Sequence, residues 1–187
     1  YPGSPMLAEK VMRADDRLRL FELHPSDNKL LQENFADLGK LAVIQQSDGF
    51  AGLKAVLPPA PRRGLILIDP PFEDKRDYQT VIKALQEALR RFATGTYAIW
   101  YPHLQRREVA ELTENLKKLP CKNWLHAGLN IQKPAADGFG MHGSSMFILS
   151  PPWTLQQELQ TLLPWLVQVL GRDQGAGFIL DYRENAA

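Results

Sequence analysis

The sequence predicts an α/β fold built on a largely parallel sheet with an antiparallel edge. Short apolar runs of strand length alternate with amphipathic stretches of helical period through most of the chain. Towards the end the rhythm changes, and two strand-like runs are joined by a Gly-rich loop instead of a helix. Three successive runs also end in an acid, Glu22, Asp48 and Asp69, each followed within three residues by Pro or Gly.

The elements follow in order. Leu7 to Ala14 reads as a helix after a Pro-Gly-Ser-Pro turn. Leu18 to Leu23 is a short strand broken at His24-Pro25, and Ser26-Asp27 caps a helix to about Phe35. Leu41 to Gln46 is the second strand, and Phe50 to Leu57 a short helix closed by Pro58-Pro59. Leu65 to Ile68, four apolar residues in a row, is a third strand expected to be buried on both faces. Tyr78 to Phe92 is a strong helix, with Val81, Ile82, Leu85, Leu89 and Phe92 at helical spacing. Thr96 to Trp100 is a fourth strand ended by Tyr101-Pro102, and Gln105 to Leu119 a helix stopped by Pro120. Trp124 to Ile131 and Ser145 to Leu149 are partner strands around a loop over Pro134 to Gly143. Leu155 to Leu170 is a helix kinked or restarted at Pro164, and Phe178 to Tyr182 a last edge strand.

A length of 187 residues suits one domain, 1–187, and no linker, repeat or low-complexity tract argues for another. Hydrophobic residues at 44% and charged residues at 23% are those of a globular protein. No apolar run is long enough to cross a bilayer and no signal-peptide pattern is present, so a cytoplasmic protein is expected. The single cysteine, Cys121, rules out an internal disulfide and a cysteine-based zinc site. The four histidines lack ligand-like spacing, so no metal is expected either. A net charge of +1 does not suggest grip on nucleic acid by bulk charge, although basic pairs such as Arg62-Arg63 and Lys117-Lys118 leave phosphate contact open.

Ligands of open parallel sheets bind beyond the carboxyl ends of the strands. The three acids therefore point to a nucleoside-containing cofactor. Glu22 is placed to accept from ribose hydroxyls, and Asp48 from an adenine amino group, with Gly49 allowing close backbone approach. The competing reading is that such acids cap the helices that follow, and Asp27 is read that way. Beyond Asp69, Pro70 and Pro71 hold the chain extended and leave free carbonyl oxygens. Phe72 adds a flat apolar face, so the cluster suits a planar base with an exocyclic amino group. Ser150-Pro151-Pro152-Trp153 has a similar look and is read as structural; His142 is the one histidine placed to line a substrate side.

Asp69-Pro70-Pro71-Phe72 is a form of the Asp/Asn-Pro-Pro-aromatic motif of amino-methyltransferases that use S-adenosylmethionine. The whole chain resembles the large-subunit methyltransferase J family of bacterial 23S ribosomal RNA adenine-N6 methyltransferases. The resemblance is carried by Tyr-Pro-Gly-Ser-Pro at 1–5, Glu-Leu-His-Pro-Ser-Asp at 22–27 and Asp-Gly-Phe at 48–50. It continues through Arg-Arg-Gly-Leu-Ile-Leu-Ile-Asp-Pro-Pro at 62–71, Arg-Phe-Ala-Thr-Gly at 91–95 and Trp-Tyr-Pro at 100–102. Pro-Pro-Trp at 151–153 and Leu-Pro-Trp-Leu at 163–166 complete it.

The resemblance implies a Rossmann-like class I methyltransferase sheet, with Ser4, Glu22, Asp48 and Gly49 binding S-adenosylmethionine. It implies catalysis at Asp69, with Pro70 and Phe72 beside it, on N6 of an adenine in 23S rRNA. The family's aromatic residue after Asp-Pro-Pro is usually Tyr, so Phe72 keeps stacking and loses a phenol hydrogen bond. The family also begins before Tyr1 with a first strand and a Gly-rich cofactor loop. The chain is therefore expected to be an N-terminally truncated fragment, inactive as it stands. Adenine-N6 methylation of DNA and a non-catalytic RNA-binding module of the same fold are the alternatives. The partner expected is 23S rRNA, with no membrane, and a monomer when full length.

Overall fold

The structure, a computed structural model, describes residues 3–183. The chain divides into two compact units, Tyr1–Val56 and Leu57–Ala187.

In the first unit, α1 (Ser4–Val11) precedes β1 (Leu18–Phe21). The first helix therefore starts three residues earlier than the apolar pattern suggests, because Pro5 fits its first turn. Next come α2 (Pro25–Asn34), a 3₁₀ segment (Ala36–Leu41), β2 (Ala42–Gln45) and α3 (Gly49–Val56). The 3₁₀ segment, not foreseen, is interrupted at Gly39, whose φ of 51° suits a residue without Cβ. Strands β1 and β2 pair in parallel, from Leu18↔Ala42 to Phe21↔Gln45. Helix α3 approaches β1 so closely that a Cβ on Gly52 would fall inside the Phe21 ring.

The second unit contains β3 (Leu65–Ile68), α4 (Lys75–Arg91), β4 (Thr96–His103), α5 (Arg107–Lys117) and β5 (Trp124–Asn130). It ends with β6 (Gly143–Leu149), α6 (Leu155–Leu170) and β7 (Gly177–Arg183). These strands form one mixed sheet in the order β3-β4-β6-β5-β7, parallel between β3 and β4 and antiparallel elsewhere. The α/β fold is thus as expected, and β7 is the antiparallel edge strand. The β5–β6 pair does not sit at the edge, however. The crossover through α5 sets β5 down one place away from β4, and β6 fills the gap.

The two faces of β4 show how the core is divided. Tyr97 and Tyr101 reach the α4 and α5 side, where their hydroxyls bond Ala88 O, Phe92 O and Thr113 Oγ1. Ala98, on the other face, joins Leu125, Ala127, Ile148 and Leu163 in a cluster under α6. Helix α4 buries Tyr78, Val81, Leu85, Ala88 and Leu89, the i, i+3, i+4 stripe its sequence predicts. Helix α6 runs unbroken through Pro164, whose exposed position leaves the freed carbonyl of the preceding turn to solvent.

Two expectations need correction. Strand β3 is not buried on both faces: Leu65 is 71% and Leu67 44% exposed, while Ile68 is buried. As the terminal strand of its sheet it is packed on one face only. Strand β4 runs past Tyr101-Pro102 to His103, pairing with β6 throughout. Strand β3 stops opposite Ile99, so from Trp100 onwards β4 has a partner on one side, and a proline there removes no ladder hydrogen bond.

Candidate active site

The first unit presents two acids at the carboxyl ends of its parallel strands, and the second presents one. In the first, Glu22 follows β1 and its N–H donates to Gln45 O at 3.1 Å, which places it at the shared end of both strands. Asp48 lies just beyond β2, at that same end. Both acids also serve the backbone. Glu22 Oε1 accepts from His24 N at 2.7 Å, and Asp48 Oδ1 accepts from Phe50 N at 2.9 Å at the start of α3. The capping reading and the ligand reading are therefore compatible, since each carboxylate keeps a second oxygen with no hydrogen-bond donor among the described residues. Asp27 is not the cap of α2. That position belongs to His24, and Asp27 lies in the first turn, where an acid suits the helix dipole.

Ser4 opens α1 and is exposed; Tyr1 and Pro2, the first residues of the family-like stretch 1–5, lie outside the described residues. Gly49 begins α3, where a Cβ would meet only Phe21 Cβ, at an ordinary 3.5 Å. The glycine required by packing in this helix is Gly52.

In the second unit Asp69 directly follows β3. Its side chain stands at the surface, yet the surrounding chain desolvates the carboxyl and raises its pKa above the usual aspartate value. Among the described residues nothing donates to this carboxylate or to the carbonyl of Pro70. Two acceptor groups on a proline-stiffened strap are thus left open to a donor.

Phe72 departs from expectation. Its ring is 1% exposed and packs on Tyr78, with centroids 4.9 Å apart and planes tilted 46°. It is an anchor beneath the strap, not a face for stacking. The backbone takes φ of 53° to turn the ring inward, a conformation costly for a non-glycine residue and typical of functional turns. Asp74 then caps α4 by accepting from Arg76 N at 2.8 Å. Arg106 Nη1 donates to Phe72 O at 3.4 Å, and Lys75 meets Glu108 at 2.5 Å, so the beginnings of α4 and α5 are tied together beside the strap.

Along the sheet from Asp69 lies a polar network that the sequence reading missed. Ser145 Oγ sits 2.6 Å from His103 Nε2 and 2.8 Å from His126 Nε2. His103 Nδ1 is 2.5 Å from Asn130 Oδ1, and Tyr101 Oη is 3.0 Å from His126 Nε2 and 2.8 Å from Thr113 Oγ1. Burial lowers the pKa of both rings, that of His126 to about 4, so both are neutral at pH 7. One direction of donation then satisfies the chain. His103 Nδ1–H donates to Asn130, Ser145 O–H to His103 Nε2, and His126 Nε2–H to Ser145. Tyr101 O–H donates to Thr113, whose hydroxyl donates to Val109 O.

The network borders an open recess of about 450 Å³ also lined by Arg106, Glu114 and His142, so His142 does share a cavity with other polar groups. Among the described residues no three His, Cys, Asp or Glu side chains are placed to hold a metal ion. The available signal was period two: Tyr101 and His103 on β4, and His126 and Asn130 in register on β5, are spaced to share one face.

Ser150-Pro151-Pro152-Trp153 lies at the other end of the sheet. Its Ser150 follows β6, and Leu149 pairs with Tyr97 at the start of β4, whereas Asp69 lies at the far end of β3. Its reading as a motif look-alike therefore rests on position as well as on chemistry.

The family model described as "Ribosomal RNA large subunit methyltransferase D, RlmJ" matches residues 1–181. The chain belongs to that family. The Ribosomal RNA large subunit methyltransferase J of Haemophilus influenzae is 44% identical over 170 residues, covering 91% of this chain and 60% of that protein. The protein of the same name from Escherichia coli K12 is 45% identical over 166 residues, covering 89% of this chain and 59% of its own length. The chain therefore spans about 60% of the length of these curated relatives. The crystal structure of protein LPL1258 from Legionella pneumophila is similar over 100% of this chain and 67% of that one, with a TM-score of 0.87 and 30% identity.

Proposed function

We propose that the protein transfers a methyl group from S-adenosylmethionine to N6 of an adenine in 23S ribosomal RNA. The proposal takes residues 1–187 as one catalytic domain. The observation that carries it is the open pair of acceptors, Asp69 carboxylate and Pro70 carbonyl, at the end of β3 in a chain of this family.

The acceptors of the first unit fit the cofactor: two carboxylates at one end of paired parallel strands, each with an oxygen to spare. Glu22 would hold the ribose hydroxyls and Asp48 with Gly49 the adenine edge, with Ser4 contributing from the start of α1. When bound, S-adenosylmethionine supplies an electrophilic methyl group. Asp69 and Pro70 O accept the two hydrogens of the target amino group. Amine nitrogen conjugated with a purine is a weak nucleophile, and two acceptors out of the ring plane favour the pyramidal form with its lone pair free. Burial around Asp69 strengthens these bonds because water competes less for its charge. After transfer the nitrogen is acidic, and Asp69 lies within the set of groups able to take its proton. The prolines keep both acceptors in place at little entropic cost, a positioning effect that in favourable cases lowers a barrier by about 7–11 kcal/mol.

The test is methyl transfer to unmodified 23S rRNA by the full-length protein carrying Asp69→Ala. The turnover should fall by about 10²–10⁴-fold with an unchanged circular dichroism spectrum. A rate near that of the unaltered protein would refute the role of Asp69.

A further inference from the structure

The end of the five-stranded sheet opposite Asp69 has no part in this chemistry, yet it carries an exposed tryptophan. Trp153 is 91% exposed. Tryptophan is highly buried on average, so an indole held this far into water is unusual. It is held there by a built loop. Ser150 N donates to Asn123 O at 3.0 Å, Ser150 O accepts from Thr96 Oγ1 at 2.8 Å, and Thr96 N donates to Gly64 O at 3.1 Å. Pro151 and Pro152 stiffen the step from that anchor to Trp153, and Leu155 N closes the turn on Pro152 O at 3.1 Å.

The same hydrogen bonds gather the neighbouring loops. Gly64 is adjacent to Arg63 and Arg62, and Asn123 to Lys122; Lys118 follows the end of α5 on the same side. All four cations are exposed, and none makes an ion pair among the described residues. Lys117 and the Arg90–Arg91 pair at this end are, by contrast, held by Asp181 and Glu114 and by Glu87. The loop hydrogen bonds thus bring four exposed cations and one projecting ring to the same end of the sheet.

We infer that this end of the sheet docks a single-stranded segment of RNA, with Trp153 stacking on a base and Arg62, Arg63, Lys118 and Lys122 meeting the phosphates. Stacking on an exposed aromatic ring flanked by backbone cations is the general means of holding single strands, whereas stacked bases of a duplex offer no free face. Four exposed cations on the adjoining loops, without ion pairs among the described residues, favour a polyanion over a protein partner, which would call for a larger apolar surround than the exposed Leu65 provides. The choice of RNA over DNA rests on the function proposed above; the surface itself does not.

The experiment is fluorescence anisotropy of a labelled 12-nucleotide single-stranded RNA (about the length one such surface holds), without cofactor. Trp153→Ala should raise Kd at least about fivefold, the low end for losing one stacked base. Arg62→Ser with Arg63→Ser should flatten the slope of log K against log salt by about 1.4, at ~0.7 for each phosphate contact. Trp165→Ala, an exposed ring on α6, should change neither. Unchanged binding in Trp153→Ala, an unaltered salt slope, or an equal loss in Trp165→Ala would overturn the docking surface. Equal affinity for DNA of the same sequence would overturn the assignment to RNA. Binding that depends on Trp153 in a protein that methylates no rRNA would sink the proposed function and leave this inference standing.

Discussion

His126 should make the second unit labile to mild acid, and the size of the effect can be worked out. The ring is buried between β4, β6 and α5, and burial is the main cause that lowers its pKa to about 4. The charges of His103 and Lys117 add to the lowering, and Asp181 opposes it. In the unfolded chain the group titrates near its ordinary value, 6.5. Between pH 6.5 and 4 the unfolded state therefore binds more protons than the folded one, and stability falls as pH drops through that window. At ~1.4 kcal/mol for each pKa unit, the change from 6.5 to about 4 is worth roughly 3 kcal/mol. Urea titrations followed by fluorescence at pH 7.5 and pH 4 should show the midpoint falling by about 1–3 M, given a slope of ~1–3 kcal/mol per molar. His103 contributes in the same direction, so the decisive comparison is His126→Gln, which donates a hydrogen bond but does not titrate. It should lose most of that pH dependence. The reasoning fails if His126→Gln and the unaltered protein lose stability in parallel.

Two substitutions test the packing. Phe72→Ala should cost about 3–5 kcal/mol in chemical denaturation, as for a buried ring, while an exposed stacking residue would alter RNA affinity and leave stability unchanged. Gly52→Ala should lower the stability of the first unit by about 1–3 kcal/mol, because the new methyl must displace the Phe21 ring; thermal melts showing no loss would contradict the close approach of α3 to β1.

The alternation of elements was legible because each helix and most strands carry their own period and their own stop. Leu65 to Ile68 ends where the sequence says it does. Strand order was not legible, since nothing local in Trp124 to Leu149 states that β6 lies between β4 and β5. The inward turn of Phe72 was hidden for a related reason. An apolar ring after two prolines can face a ligand or the core, and only Tyr78, six residues on, decides it. The polar network was hidden because Tyr101, His103, His126, Asn130 and Ser145 come from three strands and converge only once β6 is inserted between the other two.

That insertion also constrains the order in which the protein can assemble. The partners of β4 come 40 to 52 positions later in the chain, from His103↔Gly143 to Tyr97↔Leu149. During synthesis β4 stays open on that side, its amides and carbonyls exposed, until Gly143–Leu149 has left the ribosome. Distant pairings of this kind slow folding, because loop closure must come before any contact rewards it. Nascent chains that stop short of residue 143 should be the most prone to aggregate, with β4 as the adhesive edge.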